Sequence, residues 1–311
     1  MESKNNLIDY DLVIYHGGCP DGLAGAWCYW IKMNRDNSKF IPGRIGSPPP
    51  NVDGKRIIFI DFIYNANTMK KILNSAEYVK VLDHHKSSIF LTNFKSNKLE
   101  LVLDMDRSGA QLAWDSLNND IYRPWFINDI SDRDLWKWEI KYSKYTTRAM
   151  FGLGYYNNFE SFDNIVKKNR SDFIDAGNLL ISDDERVYEA ICKRAVDCWV
   201  KSITNEGKKW KARLVNCESM YVSEIGNRLV EDNLCDFAAI FRYEPLKDEW
   251  WISLRANKFS SIDLTEVVKH FGNGGGHPKA AGFTIYGSKG HNLRTIFIPA
   301  ESQFRFNYSS V

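Results

Sequence analysis

Four places in the chain set a metal-competent side chain directly behind a short apolar run. His16 follows Leu12-Val13-Ile14-Tyr15, and Asp61 follows Arg56-Ile57-Ile58-Phe59-Ile60. Asp83-His84-His85 follows Tyr78-Val79-Lys80-Val81-Leu82, and Asp104 follows Leu99-Glu100-Leu101-Val102-Leu103. Such runs read as buried strands, and in an open α/β sheet ligands bind beyond the strands' carboxyl ends. One acidic residue behind a strand is ordinary turn chemistry. Four such ends, one of them opening the loop His16-Gly17-Gly18-Cys19-Pro20-Asp21-Gly22, indicate a shared site. Carboxylates bind hard divalent cations, and imidazole moves the preference toward manganese, iron or zinc over magnesium. Two such ions about 3.5–4 Å apart stabilise both the attacking and the leaving oxygen at phosphorus. His16, Asp21, Asp61 and His84, with a later aspartate from the cluster Asp129, Asp132 and Asp134, have the composition this needs. Neither H-E-x-x-H nor G-x-x-x-x-G-K-[ST] occurs.

The elements that must hold these residues alternate. Helical spacing over Leu23 to Met33, Ala66 to Ala76 and Ser108 to Leu117 separates the strands, with Ser108 as an N-cap. Strand–helix alternation predicts a mainly parallel sheet flanked by helices. From Arg123 to about Asn205 the pattern turns helical, and Val187, Ile191, Ala195, Cys198 and Trp199 line one face of a long helix. A smaller α/β region with a mixed sheet follows. Lys208 to Val215 opens it, Ser223 to Val230 and Leu264 to Phe271 are helical, and Phe237 to Tyr243 pairs with Trp250 to Leu254 as a hairpin. Gly274-Gly275-Gly276-His277 then reads as a loop whose backbone cradles phosphate. The expected domains are 1–185, a connecting helix or linker at 186–206, and 207–311.

Composition sets the outer limits. At 311 residues with 44% apolar and 26% charged residues the chain is ordinary for a globular protein of two domains. A net charge of +2 implies no broad polyanion-binding surface and favours a short ligand. Six cysteines without a C-x-x-C pair read as free thiols in a reducing compartment. The polar first residues and the lack of a long apolar run give the expectation of a cytoplasmic protein without a membrane segment.

The motifs, in their order, resemble the DHH phosphoesterase superfamily, in the branch with a C-terminal DHH-associated domain carrying a Gly-Gly-Gly-His motif. The matching pieces are His16-x-x-Cys19-Pro20-Asp21-Gly22, Ile60-Asp61-Phe62, Asp83-His84-His85, Asp106-Arg107-Ser108-Gly109-Ala110, Asp132-Arg133-Asp134-Leu135-Trp136, and Gly274 to His277 with Ala280-Ala281-Gly282-Phe283. The resemblance implies metal binding by His16, Asp21, Asp61, His84 and Asp132, with Asp129 and Asp134 close enough to compete for the last place. It implies that Asp61 bridges two ions, that Asp83 supports His84, and that His85 meets the scissile phosphate. Arg255, Gly275, Gly276 and His277 would hold substrate, with the active site in the cleft between the domains. The first motif departs from the pattern: His16 lies one residue further from Asp21 than in many relatives, Leu23 stands where they carry a further aspartate, and Cys19 is an outside candidate ligand.

The expected activity is a manganese-dependent phosphodiesterase using two ions, with magnesium or cobalt as alternatives. Its expected substrates are short oligonucleotides, cyclic or linear dinucleotides, or nucleotide bisphosphates, and a homodimer is compatible with the resemblance. The competing readings are a degenerate, non-catalytic nucleotide- or metal-binding module, a RecJ-like single-strand exonuclease and a polyphosphatase.

Overall fold

The computed structural model describes residues 9–44, 46–118, 122–205, 207–272, 274–287 and 293–300. They fall into two compact units, Met1–Ser182 and Asp183–Val311.

In the first unit β1 (Leu12–His16), α1 (Pro20–Lys32), β2 (Phe40–Gly43), β3 (Arg56–Ile60), α2 (Ala66–Ser75), β4 (Tyr78–Asp83), β5 (Leu99–Leu103) and α3 (Gly109–Leu117) follow one another along the chain. The five strands form one sheet in the order β2-β1-β3-β4-β5, every neighbour pair parallel. Both faces are covered, as a parallel sheet requires. Ile58 and Ile60 join Val13 and Leu82 in a core under α1 and α3, while Ile57 and Phe59 join Ile14, Val79 and Val81 in a core under α2. Local chemistry sets the helix starts. Pro20 enters α1 in its first turn, the Asn65 side chain caps α2 on Thr68 N, and Ser108 caps α3 on Gln111 N.

β2 has no counterpart among the strands expected from the sequence. It is four residues long, contains Pro42 and lies at the sheet edge, where a missing N–H is tolerated. Four helices complete the unit's helical part: α4 (Trp125–Asp134), α5 (Ser143–Gly152), α6 (Phe159–Val166) and α7 (Arg170–Cys192). The unit boundary falls inside α7.

The second unit is built on a mixed seven-stranded sheet, ordered β10-β11-β9-β8-β7-β6-β12. Its elements are β6 (Val196–Lys201), β7 (Lys209–Asn216), α8 (Val222–Leu229), β8 (Phe237–Glu244), β9 (Glu249–Arg255), α9 (Leu264–Lys269), β10 (Gly275–His277), β11 (Ala280–Tyr286), α10 (Leu293–Ile296) and β12 (Phe297–Pro299). Only β7 and β8 pair in parallel. Ile225 and Leu229 of α8 pack on Ala238 and Ile240, whereas Val267 and Val268 of α9 pack with Phe237, Ile252 and Phe283 in a separate core.

The single long helix expected through Trp199 is corrected. α7 ends at Cys192, and Cys198 and Trp199 lie on β6, opposite Ala212 and Lys211 of β7. The segment 195–200 also alternates with period two. Cys198 and Val200 are buried and Trp199 is half exposed, so sheet pairing overrides the helical spacing. Among the described residues no helix is long and apolar enough to cross a membrane.

Candidate metal centre

The strand order reverses direction between β1 and β3, since β2 lies on one side of β1 and β3 to β5 on the other. A reversal of this kind leaves a crevice at the carboxyl ends of the two strands. His16 ends β1, Asp21 opens α1, Asp61 follows β3, and Asp83 ends β4 with His84 and His85 directly after it, so these motifs converge at that crevice.

Asp61 lies at the middle. Its Oδ2 is 3.3 Å from His16 Nδ1, and its Oδ1 is 3.1 Å from His84 Nε2 and 3.6 Å from His85 Nδ1. His84 Nε2 also lies 3.9 Å from Asp21 Oδ2 and 3.4 Å from Asp134 Oδ2. Among the described residues of the first unit, two groups of potential ligands result, His16–Asp61–His85 and Asp21–His84–Asp134, joined by the Asp61–His84 contact. Asp61 holds φ at +58°, an unusual state for a side chain other than glycine and one that clusters at functional sites.

Asp21 is anchored by the start of α3. Gly109 N donates to its Oδ2 at 2.6 Å and Ala110 N to its Oδ1 at 3.1 Å. Gly109 is required by space: a Cβ there would lie 2.5 Å from Asp61 Cβ and 2.9 Å from Asp21 Oδ2. The turn before α3 is braced by Arg107, which donates to Asp104 at 2.7 Å and to Asp115 at 2.9 Å, while Arg123 also holds Asp115. Burial alone would raise the Asp115 carboxyl, but the two guanidinium groups keep it below the ordinary value. The stability this gives is present above about pH 3.9, the unfolded aspartate value, and is lost as pH falls through the lower folded value. Because the pair is partly solvated the contribution is under about 1 kcal/mol. Urea melts between about pH 5 and 2 should therefore show a shallower pH slope for Asp115→Asn than for wild type. Equal slopes would remove this role.

Asp83 is engaged by donors from the residues that follow it. Its Oδ1 accepts from His84 N at 2.8 Å, His85 N at 3.2 Å and His85 Nδ1 at 2.7 Å, and its Oδ2 accepts from the Ser88 hydroxyl. Burial opposes ionisation of Asp83, yet the His85 charge and these donors hold its carboxyl below the usual range. The same contact acts on His85. Burial would lower it, and Asp83 raises it to about 9. His84 rises to about 10 against burial, through its hydrogen bond to Asp61 and the charges of Asp134, Asp61 and Asp21.

The crowding shows in the acids. Burial first, then the charges of Asp61 and Asp134, push Asp21 up to about 8, and burial likewise raises Asp134. Asp61 is held well below the usual range: the His16 and His84 hydrogen bonds overcome its burial. A buried set of carboxylates and imidazoles without a thiolate fits a hard or borderline divalent cation. The Oδ2 of Asp134, buried and without a hydrogen-bond donor among the described residues, supports the same fit.

The three aspartates that compete for the last ligand place have different partners. Asp132 takes hydrogen bonds from Glu139 N, Ile140 N and the Ser143 hydroxyl at 2.9, 3.1 and 2.6 Å, so its carboxylate closes the loop after α4. Asp129 is bound by Arg170 at 2.9 and 3.1 Å and by the Thr146 hydroxyl at 2.6 Å. Asp134 is the member of this cluster that reaches His84. Asp134→Asn is expected to weaken manganese binding at least about tenfold with little change in melting temperature. Asp132→Ala leaves three donors without their acceptor and should cost about 1–3 kcal/mol in denaturant melts. The reverse outcome would favour Asp132 over Asp134 as the ligand.

Leu23 belongs to the apolar core of α1, so that position offers no side chain to the polar set. Cys19 is half-buried, and no described ligand group includes it. Arg255 donates to Ser223 Oγ at 3.0 Å and packs on Gly226 of α8. Gly275, Gly276 and His277 form strand β10, paired with Gly282, Ala281 and Ala280, rather than the loop the glycines suggested. Gly276 has φ +135°, and a Cβ on it would meet Ala280 O at 2.5 Å. Sequence reasoning gave no role to Ser88 or Gly109. Nothing marks Ser88, whereas Gly109 was visible as the small residue just after an N-cap.

No family model matches the chain. It is 28% identical over 309 residues to the uncharacterized protein R106 of Acanthamoeba polyphaga mimivirus, a match spanning 92% of this chain and 71% of that protein. It is 27% identical over 235 residues to the oligoribonuclease NrnB of Bacillus subtilis (strain 168), across 71% of this chain and 56% of NrnB. Among solved structures it resembles the pGpG-specific phosphodiesterase PggH of Vibrio cholerae, with TM-score 0.38, 12% identity, and 91% and 95% of the two chains covered. It also resembles RecJ of Thermus thermophilus in complex with Mn2+, with TM-score 0.44, 13% identity, and 89% and 50% covered. The first-unit motifs that meet at this centre and the sequence match to NrnB make the chain similar to the DHH phosphoesterase superfamily.

Proposed function

We propose that the chain is a manganese-dependent phosphodiesterase acting on short phosphorylated nucleotides. The observation that carries this reading is Asp61 at the β1/β3 switch point, whose Oδ2 faces His16 while its Oδ1 faces His84 and His85, so one carboxylate touches both groups of potential ligands. His16, Asp21, Asp61, His84 and Asp134 would hold two divalent ions. Bound there, the ions would activate water and offset charge on the phosphoryl oxygens.

The chain's own residues then divide the work. Asp61 would offer its carboxylate to both groups of ligands. Asp83 orients His85 through Nδ1, and His85 would meet an oxygen of the scissile phosphate. There it would meet charge as it develops. In the second unit Arg255, Gly275, Gly276 and His277 are the proposed substrate contacts. The near-balanced net charge of +2 favours short substrates over long polymers, and six free cysteines fit a reducing compartment.

The test is hydrolysis of bis(p-nitrophenyl) phosphate with manganese, followed by product analysis on short RNAs, short DNAs and cyclic dinucleotides. Turnover confined to long polymers would overturn the substrate class, and an inert wild type would leave the non-catalytic reading. Manganese at about 100 times its Kd should also stabilise the protein by about 2.7 kcal/mol, reversed by EDTA. A melting temperature indifferent to manganese would remove the metal centre from the proposal.

A further inference from the structure

The second unit contains a cavity of about 360 Å³ over the ends of β6, β7 and β8, separate from every residue named as a metal ligand or substrate contact. Its walls include Phe241, Phe297 and Pro299, and Asn216 and two arginines, Arg194 and Arg294, also line it. Three chemistries meet there. Phe241 and Pro299 offer flat apolar surface at half-buried positions, with Phe297 buried at the base. Asn216 Nδ2 is committed to the carbonyl of Phe241 at 2.7 Å, which fixes the amide and leaves its Oδ1 as an acceptor. Arg194 and Arg294 are exposed, and among the described residues neither has an ion-pair partner.

A flat apolar surface suits the face of an aromatic ring. A fixed carbonyl acceptor pairs with a ring amino group, and guanidinium forks match phosphate. The volume is at the low end of the roughly 300–1,000 Å³ range of ligand pockets, which suits one nucleotide and not an oligomer. We propose that this cavity binds an amino-bearing nucleoside monophosphate, as a site of its own in the second unit. The inference goes beyond the hydrolase reading and stands without it, since no metal ligand takes part.

Isothermal titration of the full chain with AMP in EDTA tests it, using wild type, Asp61→Asn and the double variant Arg194→Ala/Arg294→Ala. Saturable binding is expected in wild type and unchanged in Asp61→Asn. It should be at least tenfold weaker in the arginine variant, with an unchanged melting temperature confirming its fold. Adenosine and inorganic phosphate should each bind at least tenfold more weakly than AMP. No saturable binding at millimolar AMP would overturn the proposal, as would equal affinity in the arginine variant. Phosphate binding as tight as AMP would show an anion patch only, which also overturns it. Failure of hydrolysis with AMP binding intact would count against the proposed reaction and leave this site standing.

Discussion

Asp61→Asn is expected to lower manganese-dependent hydrolysis of bis(p-nitrophenyl) phosphate by about a thousandfold, or ~4 kcal/mol of transition-state stabilisation. Asparagine is the informative replacement because of the backbone. Residue 61 holds φ at +58°, and asparagine tolerates that region, so the strand end should keep its shape. What is lost is charge. The carboxylate faces three imidazoles at 3.1, 3.3 and 3.6 Å and is the group that joins the two ligand clusters. A neutral amide presents one oxygen where two are needed. The manganese-induced rise in melting temperature should therefore disappear in the same variant that loses turnover. Retained turnover with an intact manganese response would remove Asp61 from the centre of the mechanism.

Gly109→Ala should damage the same centre through space alone. Its new Cβ would fall 2.5 Å from Asp61 Cβ, closer than folded proteins allow, and 2.9 Å from Asp21 Oδ2. Neither neighbour can move freely. Asp21 is held by the Gly109 and Ala110 amides, and Asp61 by its own N–H to Leu82 O at 2.9 Å. Overpacking of this kind costs about 1–3 kcal/mol. For a unit of this size that lowers the melting temperature by about 2–12 °C. Manganese affinity should fall at least about tenfold, since the methyl group separates two ligands. A variant that melts like wild type and binds manganese as tightly would show that α3 yields without cost.

The sequence made the first sheet legible because its strands are apolar runs that each end on a chemically distinct residue. His16, Asp61 and Asp83 to His85 stand out behind Leu12–Tyr15, Arg56–Ile60 and Tyr78–Leu82. β2 escaped because a four-residue edge strand with a proline has neither length nor pattern. The segment at Trp199 was ambiguous for a different reason. Its apolar residues satisfy both a helical and an alternating period, and only pairing with β7 decides between them. The choice among Asp129, Asp132 and Asp134 was closed to sequence reasoning because all three lie within a single helix. Their fates depend on distant donors: Arg170 and Thr146 for Asp129, Ser143 for Asp132, and His84 for Asp134. The glycines at 274–276 suggested a loop, yet in this chain they let β10 approach β11 closely.

The bracing of the turn before α3 has a consequence for how the centre answers its solvent. Asp61, Asp83 and His84 rest on buried strands, whereas the amides that hold Asp21 follow a turn fixed by Arg107 and Arg123, which are 38% and 30% exposed. Added salt screens charges of that kind within about 10 Å at 0.1 M and scarcely reaches the buried ones. Ionic strength therefore acts more on the turn that positions Asp21 than on the buried Asp61–His84 contact.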